Sequence, residues 1–462
     1  MGAIITDKIK RSFLTQLFDE ATGTKLGDSN NYYYIAVGRS NQWPTDDTLV
    51  QPDFDEREER EFRYGAQSVK AVEAFSFVIP IKNWEADTQY VQYNDNVEGH
   101  PSGSAYYVRT ADNNNVYVCI RQGKNSQGAG QVSTVKPDHV DTSLPVETDG
   151  YVWKYLYTIS TADTNFFVTA NYMPVKFVDS AGPTDPYFGQ KTIQNAAVPG
   201  QIIGYRVTAS GTGYDSATTT LSVIGDGTGA AAHPIINTSG QLIAVEVGDS
   251  ANVGTTGYPT LTTAMGSGYN EANVRITSPT GSNAAVVPVF AHRNGLGADP
   301  REDLRATAMM FHIKPEGTVN NTWVVGGQDY RQVALWRNPL DSNGVKFTGT
   351  SGIVARRLTL TAPASFDGLT SDKRITGDSN AAGWIDYIED STVWYHQDET
   401  TGFTPFRVGE PVDINGDAFT VALHKVSSDI DRHSGNLYFI NNGVAQPRTT
   451  ASTDDIKLVI QL

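Results

Sequence analysis

Four aromatic residues alternate in DGYVWKYLYTIS (149–160): Tyr151, Trp153, Tyr155 and Tyr157. Side chains return to one face at every second residue only on an extended backbone, so the row marks a β-strand entered through an Asp149-Gly150 turn. The opposite face holds Val152, Lys154, Leu156 and Thr158. One large aromatic face and one half-apolar face suit a sheet covered on one side and partly covered on the other. Rings so placed pack a core or a subunit interface; the competing use is a sugar-stacking platform.

The rest of the chain repeats this style. FSFVIPI, SAYYVRT and NVYVCIRQ, all before residue 123, read as strands, and their connecting loops are rich in Gly, Asn, Ser and Asp. The 43 glycines and 21 prolines fit short strands with frequent turns. With 462 residues, the chain exceeds one ordinary core. The predicted fold class is mainly β on an α+β framework: multidomain, with β-sandwich-like sheets, an N-terminal amphipathic helix and inserted small β-domains. Residues 1–195 form the helix and a β-rich framework, and 196–292 an inserted Gly/Ala/Thr-rich β-domain. Framework strands return at 293–365, a second β-rich insert occupies 366–428, and framework strands close the chain at 429–462.

Three stretches sharpen this outline. In the N-terminal helix, Thr6 is the predicted N-cap, and Ile9, Phe13 and Leu17 share a face. The start MGAIIT matches a myristoylation pattern, but no second membrane signal accompanies it, and charges from Asp7 onward exclude a signal peptide. DFDEREERE (53–61) reads as a solvated loop or short helix, with Glu56 and Arg60 at pairing distance if helical. The first insert contains a near-repeat, GTGYDSATTTLSV (211–223) and GSGYNEANVRITS (266–278), in which Tyr214 and Tyr269 anchor glycine turns. In the second, YIED, VWYHQ and FTPFRVGE read as successive strands, with a hairpin turn at 399–402.

Chemistry is hard to find. The single cysteine, Cys119, permits no intrachain disulfide and reads as a small buried hydrophobe in a chain made in a reducing compartment. The eight histidines show no metal or HExxH spacing. His433 and Ser434 adjoin, but neighbours on extended backbone point apart; His312, among apolar residues, reads as a satisfied strand histidine. No GxSxG, GxGxxG or P-loop occurs. A formal net charge of -16 opposes a nucleic-acid surface, and no apolar run reaches membrane-spanning length. The expectation is therefore no catalytic residue, no cofactor, no metal, and no nucleic-acid or membrane partner. A glycan hydrolase would need two carboxylates that sequence alone cannot pick from the 51 acidic residues.

Five blocks together resemble one protein family. They are YIAVGRSNQW (34–43), DGYVWKYLYTI (149–159), DYRQVALWRNPL (329–340), DRHSGNLYFINN (431–442) and the final DDIKLVIQL. In this order they are similar to the baseplate wedge subunit of T-even-like contractile-tailed bacteriophages, the gene eight product type; the Gly-rich insert resembles the cyanophage, or cyanobacterial myophage, version. The resemblance implies a non-enzymatic virion protein of the tail baseplate, assembled in the host cytoplasm. It implies a homodimer within each wedge, joined to the gene six, seven and ten product types, coupling baseplate rearrangement to sheath contraction. The alternative is a receptor-binding tail adhesin for host surface glycan. The inserts 199–291 and 366–426 have no counterpart in the T-even frame, and Asn442-Gly443 stands where an Arg-containing turn is expected. Structural and interface candidates are Gly38, Gly150 and Gly435 for turns, and Trp43, Trp153, Tyr155, Trp336 and Tyr438 for packing. Arg39 and Arg432 are candidates to pair with a carboxylate, in the same or a neighbouring subunit; Asp149 and Arg331 complete the set.

Overall fold

A computed structural model of the chain describes residues 5–22, 31–43, 50–52, 54–96, 99–100, 103–125, 128–248, 264–314, 329–361, 366, 369–425, 429–446 and 454–462. Residues 1–4 of the myristoylation pattern, Pro44, Asp53 and Pro447 lie outside them. Strand takes 44% and helix 11%, so the mainly-β, multidomain expectation holds. The chain divides into two compact units: Met1–Ser12, Ser76–Met309 and Gln461–Leu462 in one, Phe13–Phe75 and Met310–Ile460 in the other.

In the first unit, Tyr107–Arg109, Asn115–Arg121 and Val152–Thr158 form a three-stranded antiparallel sheet. The aromatic row lies here and is buried: Tyr151 and Trp153 are 0% exposed, Tyr155 and Tyr157 3%. Tyr151 and Trp153 stack at 5.7 Å with their planes 9° apart, and Tyr90 meets the Trp153 ring edge-on at 5.4 Å. Cys119, opposite Trp153 in the register, is fully buried, which pushes its thiol pKa well up. The half-apolar face is covered too, with Val152 and Leu156 at 0%.

The glycine-rich stretch makes a small β-module whose strands pair among themselves. Ile202–Thr212 pairs with Ser282–Phe290, Thr220–Gly225 with Ala272–Thr277, and Thr228–Ala230 with Met265–Ser267. The near-repeat becomes a local pseudo-two-fold. Tyr214 covers Gly281 while the equivalent Tyr269 covers Gly227, and in each case a Cβ on the glycine would collide with the ring. Each hydroxyl accepts from the other half, Tyr214 Oη from Ala284 N at 3.1 Å and Tyr269 Oη from Ala230 N at 3.4 Å. The duplicated motif thus stabilises its partner copy as well as itself.

The second unit contains a five-stranded sheet and a closed barrel. The sheet runs Ser351–Ile353, Ala66–Ala71, Tyr33–Gly38, Tyr330–Arg337, Asn436–Gln446 in spatial order. Its core joins Tyr34, Phe62, Val69 and Trp336. The barrel closes from six strands, Arg356–Thr361, Arg374–Gly377, Ala382–Glu389, Thr392–His396, Pro411–Ile414 and Asp417–Lys425. Its interior is filled by Leu358, Ile375, Tyr395, Phe419 and their neighbours. Closure leaves no free strand edge in this piece.

Two local expectations change, and two helix readings hold with different contacts. Residues 403–410 are not a strand: Pro405 removes a ladder donor, Gly409 adopts φ 88°, and Phe406 packs edge-on against Tyr395 at 5.2 Å. Asn442-Gly443 is not a turn but lies inside Asn436–Gln446. The helix Asp7–Thr22 starts as expected after Thr6, whose carbonyl accepts from Ile9 N at 3.0 Å. Among its described side chains the buried one, however, is Leu14, while Ile9 and Phe13 are 46% and 61% exposed; periodicity finds an apolar stripe, but only packing selects what is covered. The charged stretch is helical, Asp55–Gly65, and its ion pairs are Arg57–Glu61 at 2.8 Å and Arg63–Glu59 at 2.7 Å.

Candidate functional site

Eight of the twelve candidate residues belong to the second unit, on or beside its five-stranded sheet, where the Asp55–Gly65 helix also lies. That helix forms despite its polarity because acids occupy its first turn and Arg63 its last, complementing the helix dipole. Gly38 ends its strand at a register break, and the carbonyl oxygen of Gly65 would stand 3.0 Å from a Cβ there. Gly38 therefore serves close approach of the helix end rather than a turn. Arg39 follows at φ 56°, a left-handed conformation unusual for a residue with a side chain. Its guanidinium lies over the Trp43 ring at 3.7 Å, and Trp43 Nε1 donates to Gly443 O at 2.8 Å.

Arg39 lines a cavity of about 300 Å³ together with Arg57, Glu61, Tyr64, His396 and Asp398. Burial pulls the Arg39 pKa down, opposed chiefly by Glu61 and reinforced by Arg331. Behind it, Asp386 Oδ1 accepts from Ser40 Oγ at 2.6 Å and binds His396 Nδ1 at 2.7 Å. The serine thus spends its proton on the carboxylate, not on the imidazole, and the three side chains tie the sheet to the barrel instead of forming a serine–histidine relay. Arg331 adds to this fastening, donating to Ser40 O and pairing with Asp329 at 2.9 Å.

A second fastening is built on arginine and main-chain carbonyls. Arg63 donates to Arg432 O at 2.7 Å, Ser434 O at 2.8 Å and Gly435 O at 2.9 Å, and it lies over the Trp336 ring. Trp336 Nε1 also donates to Ser434 O, at 2.9 Å. Gly435 adopts φ 62°, and a Cβ would stand 2.6 Å from Arg337 O. Arg432 is 5% exposed and donates to Tyr64 O at 2.8 Å and Val354 O at 3.2 Å. Burial pulls its pKa down to about 10. Its hydrogen-bond partners are carbonyls of its own chain, so the DRHSG turn is held from inside. Tyr438, on the edge strand, is 45% exposed and accepts at its hydroxyl from Arg337.

Asp149, Gly150, Trp153 and Tyr155 belong to the first unit. Asp149 organises a loop: its Oδ2 accepts from Ser133 Oγ, Thr134 N and Val135 N between 2.7 and 3.1 Å. Gly150 turns the chain at φ 80°, and Tyr155 bonds Thr158 Oγ1 at 2.7 Å. His312 is a strand histidine, its Nε2 2.8 Å from Asp455.

Ser40, Arg63, Asp386 and His396 escape sequence reasoning. Ser40 and Asp386 stand 346 residues apart, and no local pattern couples them. Among the described residues no group of three or more His, Cys, Asp or Glu is placed to hold a metal ion, and no helix is long and apolar enough to cross a membrane. No protein-family model matches the chain, and no curated protein matches it.

Proposed function

We propose that the chain is a structural subunit of a contractile phage tail baseplate wedge, acting by assembly and mechanical coupling. One observation carries the reading. Three of the five blocks that resemble the wedge family, separated by hundreds of residues, lie side by side as consecutive strands of one sheet. In its register Tyr34 faces Trp336, and Trp336 faces Leu437. The blocks therefore correspond to one physical framework, fastened by Arg63, Arg331 and Arg432. The remaining barrel and glycine-rich module are self-paired pieces carried on the chain. A framework tied by buried arginine–carbonyl bonds transmits load as a rigid body, which suits a part that moves as a unit while its neighbours rearrange. The partners on this reading are the other wedge proteins of the gene six, seven and ten product types and a second copy of the chain. Electron microscopy of the virion tests it: the chain should occupy the baseplate in a copy number that is a multiple of six, and density in a capsid or distal fibre would overturn it.

A further inference from the structure

The described residues that line the Arg39 cavity all belong to the second unit, and two of them are held in place as polar groups for it. Arg39 is fixed by its left-handed backbone, φ 56°, and by the Trp43 ring beneath its guanidinium. Its Nε is buried and has no hydrogen-bond partner among the described residues. A strained backbone and a buried, unbonded donor both cost free energy, and such costs gather at ligand clamps. His396 is 2% exposed, and Asp386, itself bonded by Ser40, holds its Nδ1. The carboxylate keeps the proton on Nδ1, so the ring atom left for a ligand is Nε2, an acceptor.

The surrounding charges select what can enter. Arg57 is paired with Glu61 at 2.8 Å. Asp398 Oδ1 accepts from Thr400 N, Thr400 Oγ1 and Thr401 N within its own turn, and Glu399 beside it is exposed. These three carboxylates line the cavity and oppose an anion, while the Arg39 guanidinium opposes a cation. A hydroxyl donates and accepts without meeting a like charge. Apolar surface adjoins the same groups. Tyr64 lines the cavity and packs on Phe403 at 4.9 Å, and Phe403 is 47% exposed. An aromatic face beside planar polar side chains suits a sugar, whose C–H face packs on the ring while its hydroxyls bond the polar groups. The volume of about 300 Å³ is at the lower end of small-molecule sites, which run from about 300 to 1,000 Å³.

We propose that this cavity is a binding site for a neutral saccharide unit. Arg39 and His396 Nε2 bond its hydroxyls, and Tyr64 and Phe403 cover its apolar face. The site goes beyond the structural role proposed above and does not depend on it.

Saturation-transfer NMR and calorimetry on the full chain test it, with the methyl glycosides of glucose, galactose, mannose and N-acetylglucosamine as probes. At least one should bind, with a dissociation constant on the order of 1 mM. Arg39→Gln should weaken that binding about tenfold or more by removing a charged donor. Phe403→Ala, which alters an exposed side chain, should weaken it about tenfold at an unchanged melting temperature, and it is the second variant should Arg39→Gln misfold. Sodium acetate and ethylammonium chloride should not compete. An array of oligosaccharides ending in the same units separates two sources: a chain end binds in both formats, a free sugar in solution only. Failure of every glycoside to bind, acetate binding that depends on Arg39, or glycoside binding unchanged in both variants overturns the site. The baseplate reading still stands or falls on the position of the chain in the virion.

Discussion

Val152–Thr158 and Asn436–Gln446 look alike as sequence, with bulky apolar side chains set at intervals between polar ones. Their fates are opposite. In the first, Trp153 is 0% exposed and both faces are covered; in the second no residue is fully buried. The first strand has its rings packed edge-on against Tyr90 and Tyr117, and the second ends its sheet. Aromatic alternation therefore marks a strand but not its depth, which depends on how many layers and neighbours the fold places around it.

This contrast can be broken experimentally. Trp153→Ala should cost the most, about 3–5 kcal/mol by denaturant unfolding, because neighbouring rings cannot refill the space. It should leave no separable sugar-binding defect; glycan binding by the natural protein that vanishes in an otherwise stable variant would return the row to the role of a platform. Arg63→Ala should cost about 3 kcal/mol by stranding the carbonyls of Arg432 and Gly435, Ser434 O keeping Trp336 Nε1, and a neutral result would show that the DRHSG turn holds itself. Gly435→Ala should cost about 2 kcal/mol from left-handed strain and the collision with Arg337 O.

Acid should act on the first unit through His292, whose pKa is pulled down to about 4 by burial, helped by Arg11 and Arg305. The unfolded chain, with the ordinary value of 6.5, takes up this proton first as pH falls. The stabilisation is thus complete above about 6.5 and drains away toward 4, on the order of 2 kcal/mol. Melting curves of His292→Gln should flatten that slope, and an unchanged slope would assign it elsewhere. The smallest effect should be Val444→Lys on stability, within about 0.5 kcal/mol, because Val444 is 46% exposed; a larger loss would mean that this side chain is covered within its own chain.

Legibility followed the range of the interaction. The aromatic strand, the Cys119 site, the glycine repeat with its two tyrosines and the helix after Thr6 were readable because each depends on neighbours within a few residues or on a copied motif. The 403–410 segment misled, since its apolar residues read as a strand while Pro405 and Gly409 bend the chain and Phe406 caps the barrel. The Arg39 cavity was half legible: GRSNQW stood out, but not what it faces.

The sequence by itself determined a mainly-β chain, the positions of most strands and the residues whose shape would matter. Only the tertiary structure decided that Arg432 binds carbonyls, that Ser40 and His396 share one carboxylate, and that one of two similar strands is left at an edge. The physical reason is that strand formation depends on a period of two residues, whereas pairing order, burial and charge neutralisation depend on partners hundreds of residues away.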